Sequence, residues 1–128
     1  MLVAPVIPLI NEPEIEAILA AVAGAGATGA SYILLRLPHE VAPLFLNWLQ
    51  QHFPERAAHV ESRIRALRGG KLYDSEFGSR MRGEGVYADL IRQRFTLAAR
   101  KLGLGGERKH DLDSSHFRNV DKRQLALW

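Results

Sequence analysis

Six polar residues stand where the sequence permits chemistry: Asn11, Glu12, Arg36, Lys71, Arg80 and Arg82. Asn11 and Glu12 follow an apolar run, Leu2 to Ile7, that ends at Pro8. Parallel α/β folds bind ligands past the C-terminal ends of their strands, so this pair can contact a cofactor. Asn11 can equally cap a helix. Arg36 is a cation inside an otherwise apolar run, Ser31 to Leu37. A buried charge is costly unless paired, so Arg36 needs a neighbouring carboxylate or an anionic substrate. Lys71, Arg80 and Arg82 lie in a glycine-rich stretch, with Gly83 and Gly85 ahead of a helical segment. Glycine-freed backbone, a helix N-terminus and three cations can hold a phosphate. Pairing with Asp74, Glu76 and Glu84 is the structural alternative. Tyr73, Phe77 and Tyr87 interleave with these cations. Such aromatics either stack nucleic-acid bases or staple a loop to the core.

Other chemistries are less well supplied. There are no cysteines, which excludes disulfides and any thiolate-held metal centre. His39, His52, His59, His110 and His116 include no H-x-x-x-H pair, so surface or capping roles are expected. No Ser/His/Asp arrangement is readable. Seventeen Lys and Arg against fourteen Asp and Glu give a net charge of +3, which permits an anionic partner without requiring one. Hydrophobic residues make up 47%, enough for a real core. No apolar run approaches the ~20 residues that span a bilayer, and the N-terminus does not read as a signal peptide. A cytoplasmic protein without a membrane partner is the expectation.

The elements that position these residues follow from periodicity. Leu2 to Ile7 reads as a strand, with Pro5 a warning because it cannot donate to a ladder. Asn11, Pro13 and Glu14 suggest a helix start with a capping box. Ile15, Ile18, Leu19 and Val22 then share one helical face, and Gly24 and Gly26 close it. Ser31 to Leu37 is the second strand, stopped by Pro38. A second helix carries Val41, Leu44, Phe45, Trp48 and Leu49. A third starts near Pro54 with Ala57, Val60, Ile64 and Leu67 on one face, ended by Gly69 and Gly70. Lys71 to Gly85 lacks a period and reads as an ordered loop. Tyr87, Leu90, Ile91, Phe95, Ala98 and Leu102 mark a fourth helix. Residues 1–104 therefore form the folded body, and 105–128 read as a polar, flexible tail.

The order β-α-β-α-α-α begins with a βαβ unit and implies a parallel sheet covered on both faces. Two parallel strands leave two open edges and do not make a self-sufficient sheet. A second copy or a larger α/β fold is needed to complete it.

Four stretches resemble one family. Ala4-Pro5-Val6-Ile7-Pro8 with Asn11 is the first. Tyr32-Ile33-Leu34-Leu35-Arg36-Leu37-Pro38, followed by Trp48-Leu49, is the second. The most specific is Gly69-Gly70-Lys71-Leu72-Tyr73-Asp74-Ser75 with Phe77-Gly78, Arg80-Met81-Arg82-Gly83, Gly85 and Tyr87-Ala88. The last is His116-Phe117-Arg118 with Gln124-Leu125-Ala126-Leu127. In this order they resemble the C-terminal portion of spore photoproduct lyase-like radical SAM proteins. The chain departs from that pattern at Leu9, Ile10, Glu12 and Glu76.

The resemblance implies the late β-α-β-α-α-α piece of a parallel partial (β/α) barrel. It implies S-adenosylmethionine and a [4Fe-4S] cluster in the parent enzyme, DNA-repair photolyase-like chemistry, and a 5′-deoxyadenosyl radical as the hydrogen abstractor. Three thiolates of a C-x-x-x-C-x-x-C motif hold the cluster in that superfamily. This chain has none, so alone it is expected to bind neither cofactor and to be inactive. Its expected contribution is late strands and the substrate-side wall, with an N-terminal radical SAM segment as partner. The rival expectation is a non-enzymatic module that binds nucleic acid, or another protein, through the basic Lys71–Arg94 region.

Overall fold

The computed structural model describes residues 1–104 and 115–116. The expected tail lies almost wholly outside the described residues. Strand β1 spans Leu2–Val6, helix α1 Ile15–Gly24, strand β2 Ser31–Leu34, α2 Val41–His52, α3 Ala57–Ala66 and α4 Val86–Lys101. A single 3-10 turn, Glu12–Glu14, leads into α1. The chain is thus a small mixed α/β protein with four helices and a two-stranded parallel sheet among the described residues.

Leu2 pairs with Ser31 and Val3 with Tyr32, and the register then shifts before Val6 meets Leu34. The shift brackets Pro5, which has no N–H to give. β2 is shorter than its apolar run suggests. Leu35 donates its N–H to the Val6 carbonyl at 2.9 Å, and regular pairing stops there because β1 turns away at Ile7.

Among the described residues the sheet packs helices against one face, where the sequence leads us to expect two. Val3, Val6, Tyr32 and Leu34 are buried with Ile15 and Leu19 of α1 and with Ala88, Ile91, Phe95 and Ala99 of α4. These helix positions recur at i, i+3, i+4 and beyond, so one stripe of each helix faces the sheet. Each fully buried aliphatic side chain contributes about 1.5–3 kcal/mol. On the other face Leu2 is 50% exposed and Ala4 and Pro5 are exposed too.

A second core gathers Leu37 and Leu49 with Ala57, Val60 and Ile64 of α3. Helix α2 sits at its margin. Leu49 is buried there, whereas Leu44 is 69% and Trp48 37% exposed. Trp48 therefore does not lie on the sheet as its stripe suggests. Its ring rests against Phe45, His52 and Phe53, at centroid distances of 5.6, 5.3 and 5.4 Å.

The loop between α3 and α4 is drawn onto β2. Leu34 donates its N–H to the Met81 carbonyl at 2.9 Å, which covers part of that strand's outer edge. Gly83 makes the approach possible. Its φ is +68°, and a Cβ there would meet Leu34 Cδ1 and the Leu67 carbonyl at 3.1 Å. A side chain would be strained by conformation and crowded by both neighbours.

This packing separates two neighbouring apolar residues of α2. Leu49→Ala is expected to cost about 2–5 kcal/mol, the range for a buried leucine truncation. Trp48→Ala is expected to cost no more than about 1 kcal/mol, in keeping with an exposed site. Urea denaturation of both variants checks this, and equal losses would contradict the placement of α2.

Candidate functional site

The turn after β1 brings Asn11 and Glu12 to the C-terminal side of the sheet, where the sequence expects a ligand. Both side chains are already engaged within the chain. Asn11 Oδ1 accepts the Ile7 N–H at 2.7 Å, and Asn11 Nδ2 donates to the Pro5 carbonyl at 2.9 Å. It staples the end of β1 and makes no helix cap, because its partners lie before it in sequence. The capping box is likewise not formed.

Glu12 is only 6% exposed. Tyr87 donates its hydroxyl to Glu12 Oε2 at 2.8 Å, and Arg94 pairs with Oε1. Arg94 then forks onto Glu16, with Nε and Nη2 donating at 2.9 and 2.8 Å. The Arg63 guanidinium lies over the Tyr87 ring, 4.9 Å from its centroid. Burial and the Glu12 bond push the Tyr87 phenol up to about 12. The Arg94 bond holds the Glu16 carboxyl below its usual range.

Past the end of β2 lies a different cluster. Arg36 meets no carboxylate among the described residues. Its Nη2 reaches the Tyr73 hydroxyl at 3.4 Å, and its guanidinium sits 6.0 Å from that ring. The expected ion pair is thus replaced by an aromatic neighbour. Beside it stands Arg68, a residue that sequence reasoning missed. Arg68 is 5% exposed and donates Nη2 to the Leu35 carbonyl at 2.9 Å. Arg68 Nε and Nη1, and Arg36 Nε, are buried with no hydrogen-bond partner among the described residues. Burial lowers the Arg68 proton affinity; the Asp74 charge opposes this, and the Arg36 charge reinforces it. Two cations with unused donors therefore share one place at the strand exit. Arginine keeps its proton even so, and its planar fork suits a carboxylate or phosphate.

Asp74 organises the loop that carries the remaining candidates. It accepts the Glu76 N–H at 2.9 Å and the Ser79 hydroxyl. These bonds, the Ser79 one foremost, hold its carboxyl below the usual range. Arg80 and Arg82 line one shallow pocket with Phe77, and Lys71 is not part of it. Lys71 is exposed, Arg80 lies 4.7 Å over the Phe77 ring, and Arg82 lies 5.6 Å over the Tyr32 ring. Neither Arg80 nor Arg82 pairs with Asp74, Glu76 or Glu84 among the described residues. Phe77 is 85% exposed, so it does not staple the loop to the core.

No group of His, Asp and Glu suited to a metal ion occurs among the described residues. With no cysteine in the sequence, the chain has no donor set for an iron–sulfur cluster. No helix among the described residues is long and apolar enough to cross a membrane. No family model, curated protein or solved structure matches the chain.

The Glu12 network predicts contrasting losses. Glu12→Ala removes the acceptor of the half-buried Tyr87 hydroxyl and one of the two carboxylates on Arg94, and is expected to cost about 2–3 kcal/mol. Glu16 is 47% exposed in its side chain, and Glu16→Ala is expected to cost less than about 1 kcal/mol. Chemical denaturation at neutral pH reads both. Tyr87 also sets an alkaline limit. The folded chain keeps this proton to about 12, while the unfolded phenol releases it near 10.0. Its stabilisation is therefore whole below the lower value and fades as pH rises towards the higher. Wild type should lose its stability margin over Tyr87→Phe across that window, as followed by thermal unfolding. At acid pH the sign reverses. Glu16 contributes fully above its ordinary value of 4.5, and that contribution is lost as pH falls below it.

Proposed function

We propose that this chain is the C-terminal segment of a cytoplasmic radical SAM enzyme, DNA-repair photolyase-like in its ancestry, and that it lines the substrate side of a partial barrel. Another segment supplies the cluster, S-adenosylmethionine and the radical. The observation that carries this reading is the buried Arg68 guanidinium beside half-buried Arg36, whose Nε with Arg68 Nε and Nη1 finds no hydrogen-bond partner among the described residues, just past a parallel strand. That edge is where α/β folds place their ligands. Burying such donors without partners costs free energy unless an anion answers them. A second support is the open sheet: one face carries exposed Leu2, and α2 carries exposed Leu44 and Trp48. Those surfaces suit additional strands and helices. The motif resemblance supplies the family.

In this reading the chain does no redox chemistry. Arg36 and Arg68 bind and orient an anionic group of the substrate. Arg68 also pins the strand exit through the Leu35 carbonyl, so the two donors move with the sheet. The Glu12, Tyr87 and Arg94 network holds the wall together behind them.

A second reading has one observation in its favour. Phe77 is exposed with Arg80 stacked on it, an arrangement that can take an unpaired base. Salt-dependent binding of labelled single-stranded DNA, lost in Phe77→Ala, would establish that module.

The main reading is tested by co-expression. A cluster-bearing segment encoded next to this chain is expected to copurify with it and to cleave S-adenosylmethionine to 5′-deoxyadenosine. In that assembly Arg36→Ala should raise KM by about tenfold or more, with kcat changed far less, because a charge-assisted contact is lost. Absence of any C-x-x-x-C-x-x-C segment that associates with the chain would end the proposal.

A further inference from the structure

Helix α4 turns one apolar stripe to the sheet and a second one away from it. Opposite Ala88, Ile91, Phe95 and Ala99, the residues Val86, Leu90, Gln93 and Leu97 recur at i, i+4, i+7 and i+11. That alternation of four and three is the seam spacing of paired helices. Val86 is 88% exposed, Leu90 48% and Leu97 56%. Leu97 stands as a ridge between two grooves. One, of about 450 Å³, runs towards α1 over Ala20, Ala98 and Leu102. The other, of about 390 Å³, lies on the other side of Leu97, against Thr96 and Arg100. A ridge flanked by grooves is the relief on which a second helix packs.

The charges along this face differ in sign from end to end. Glu84 and Asp89 stand at its N-terminal end, and Arg100 and Lys101 at its C-terminal end. Arg92 pairs with Asp89 at 2.6 Å and offsets one of the two acids, which leaves that end acidic. The pair is exposed, so it contributes little and gives way readily to another partner. Arg94 is answered by Glu12 and Glu16. Arg100 and Lys101 have no carboxylate partner among the described residues. An identical helix laid antiparallel sets each acidic end beside a basic one and opposes the two helix dipoles favourably. A uniformly anionic surface would meet the basic end and be repelled by the acidic one.

We infer that the outer face of α4 is a self-association surface, on which a second copy of this chain docks antiparallel through Leu90 and Leu97. A two-fold axis brings each of these residues into the interface twice, once from each copy. The sixteen residues of α4 give a seam of about 24 Å. Gln93 interrupts it, so the dimer is a weak one, with a dissociation constant on the order of micromolar. The face points away from the sheet and leaves the strand exits and the open sheet face free. Its failure would leave the radical SAM reading untouched.

Sedimentation equilibrium of the purified full chain across a micromolar concentration range tests the surface. A monomer–dimer equilibrium is expected. Leu97→Glu puts a charge into the seam and should weaken it about tenfold or more. The thermal midpoint should stay unchanged, because the side chain is exposed in the single copy. Leu2→Lys on the open sheet face and Leu44→Glu on α2 should each change the equilibrium by less than about twofold. Charge exchange tests the orientation. Glu84→Lys with Asp89→Lys makes the face basic at both ends, and Arg100→Glu with Lys101→Glu makes it acidic at both ends. Each double variant alone should be monomeric, and an equimolar mixture should restore the dimer. A wild type that stays monomeric, dimers that survive Leu97→Glu, dimers lost in Leu2→Lys or Leu44→Glu, or a mixture that does not reassociate would overturn the assignment. A monomer that sediments with vesicles of anionic phospholipid would give the face to lipid and overturn it equally.

Discussion

Glu12 carries a negative charge into the interior at the point where the chain leaves β1, and the packing of the helices answers that charge. Its two oxygens are met by Tyr87 and Arg94, which stand seven residues apart on one side of α4. Arg94 continues to Glu16 on α1, and Arg63 of α3 lies on the Tyr87 ring. Hydrophobic burial alone is non-directional and would let α4 slide on α1. A buried carboxylate with fixed donors does not, since any slip leaves a charge unmet. The ion network thus sets the register in which Ala88, Ile91, Phe95 and Ala99 meet the sheet.

The helices were legible because their apolar spacing is local. Ile15 and Leu19, or Ile91 and Phe95, announce a face within one turn. The partners of Glu12 were not legible, because they lie 75 and 82 residues away and nothing local marks them. Asn11 was read as a cap from its position alone, yet its amide found closer backbone partners at Pro5 and Ile7. Arg68 did leave a signal. It continues the Val60, Ile64 and Leu67 stripe at the next helical position, so burial was implied by the spacing that placed those three inside. Its charge, next to Arg63 and Arg65, concealed this. Trp48 shows the opposite failure. Its spacing fits a buried stripe, but α2 contacts α3 and leaves its far side bare.

The molecule is therefore asymmetric in a way that bears on function. One sheet face, two helices and the Glu12 network make a finished core. The other sheet face and the outer side of α2 expose apolar side chains that a closed domain would cover. Parallel strands are normally buried on both faces, so the uncovered face is a departure from the rule for this architecture and not ordinary surface.

Unmet polar groups show the same asymmetry. Among the described residues Arg36, Arg68 and Tyr32 keep buried donors unused, while the donors around Glu12 are engaged. Local rules in natural chains are broken mainly where function recovers the cost. The two places are chemically distinct. At the strand exit, two guanidiniums repel one another, and Arg36 reaches the Tyr73 hydroxyl. In the proposed reading, that arrangement answers an anion delivered by a larger partner surface. Along β2, the Tyr32 ring packs on Phe95 with the Arg82 guanidinium over it, and its hydroxyl is buried. A chain that left only one of these unsatisfied could be dismissed as imperfectly packed. Both lie along the same short strand, Tyr32 within β2 and Arg36 two residues past its end.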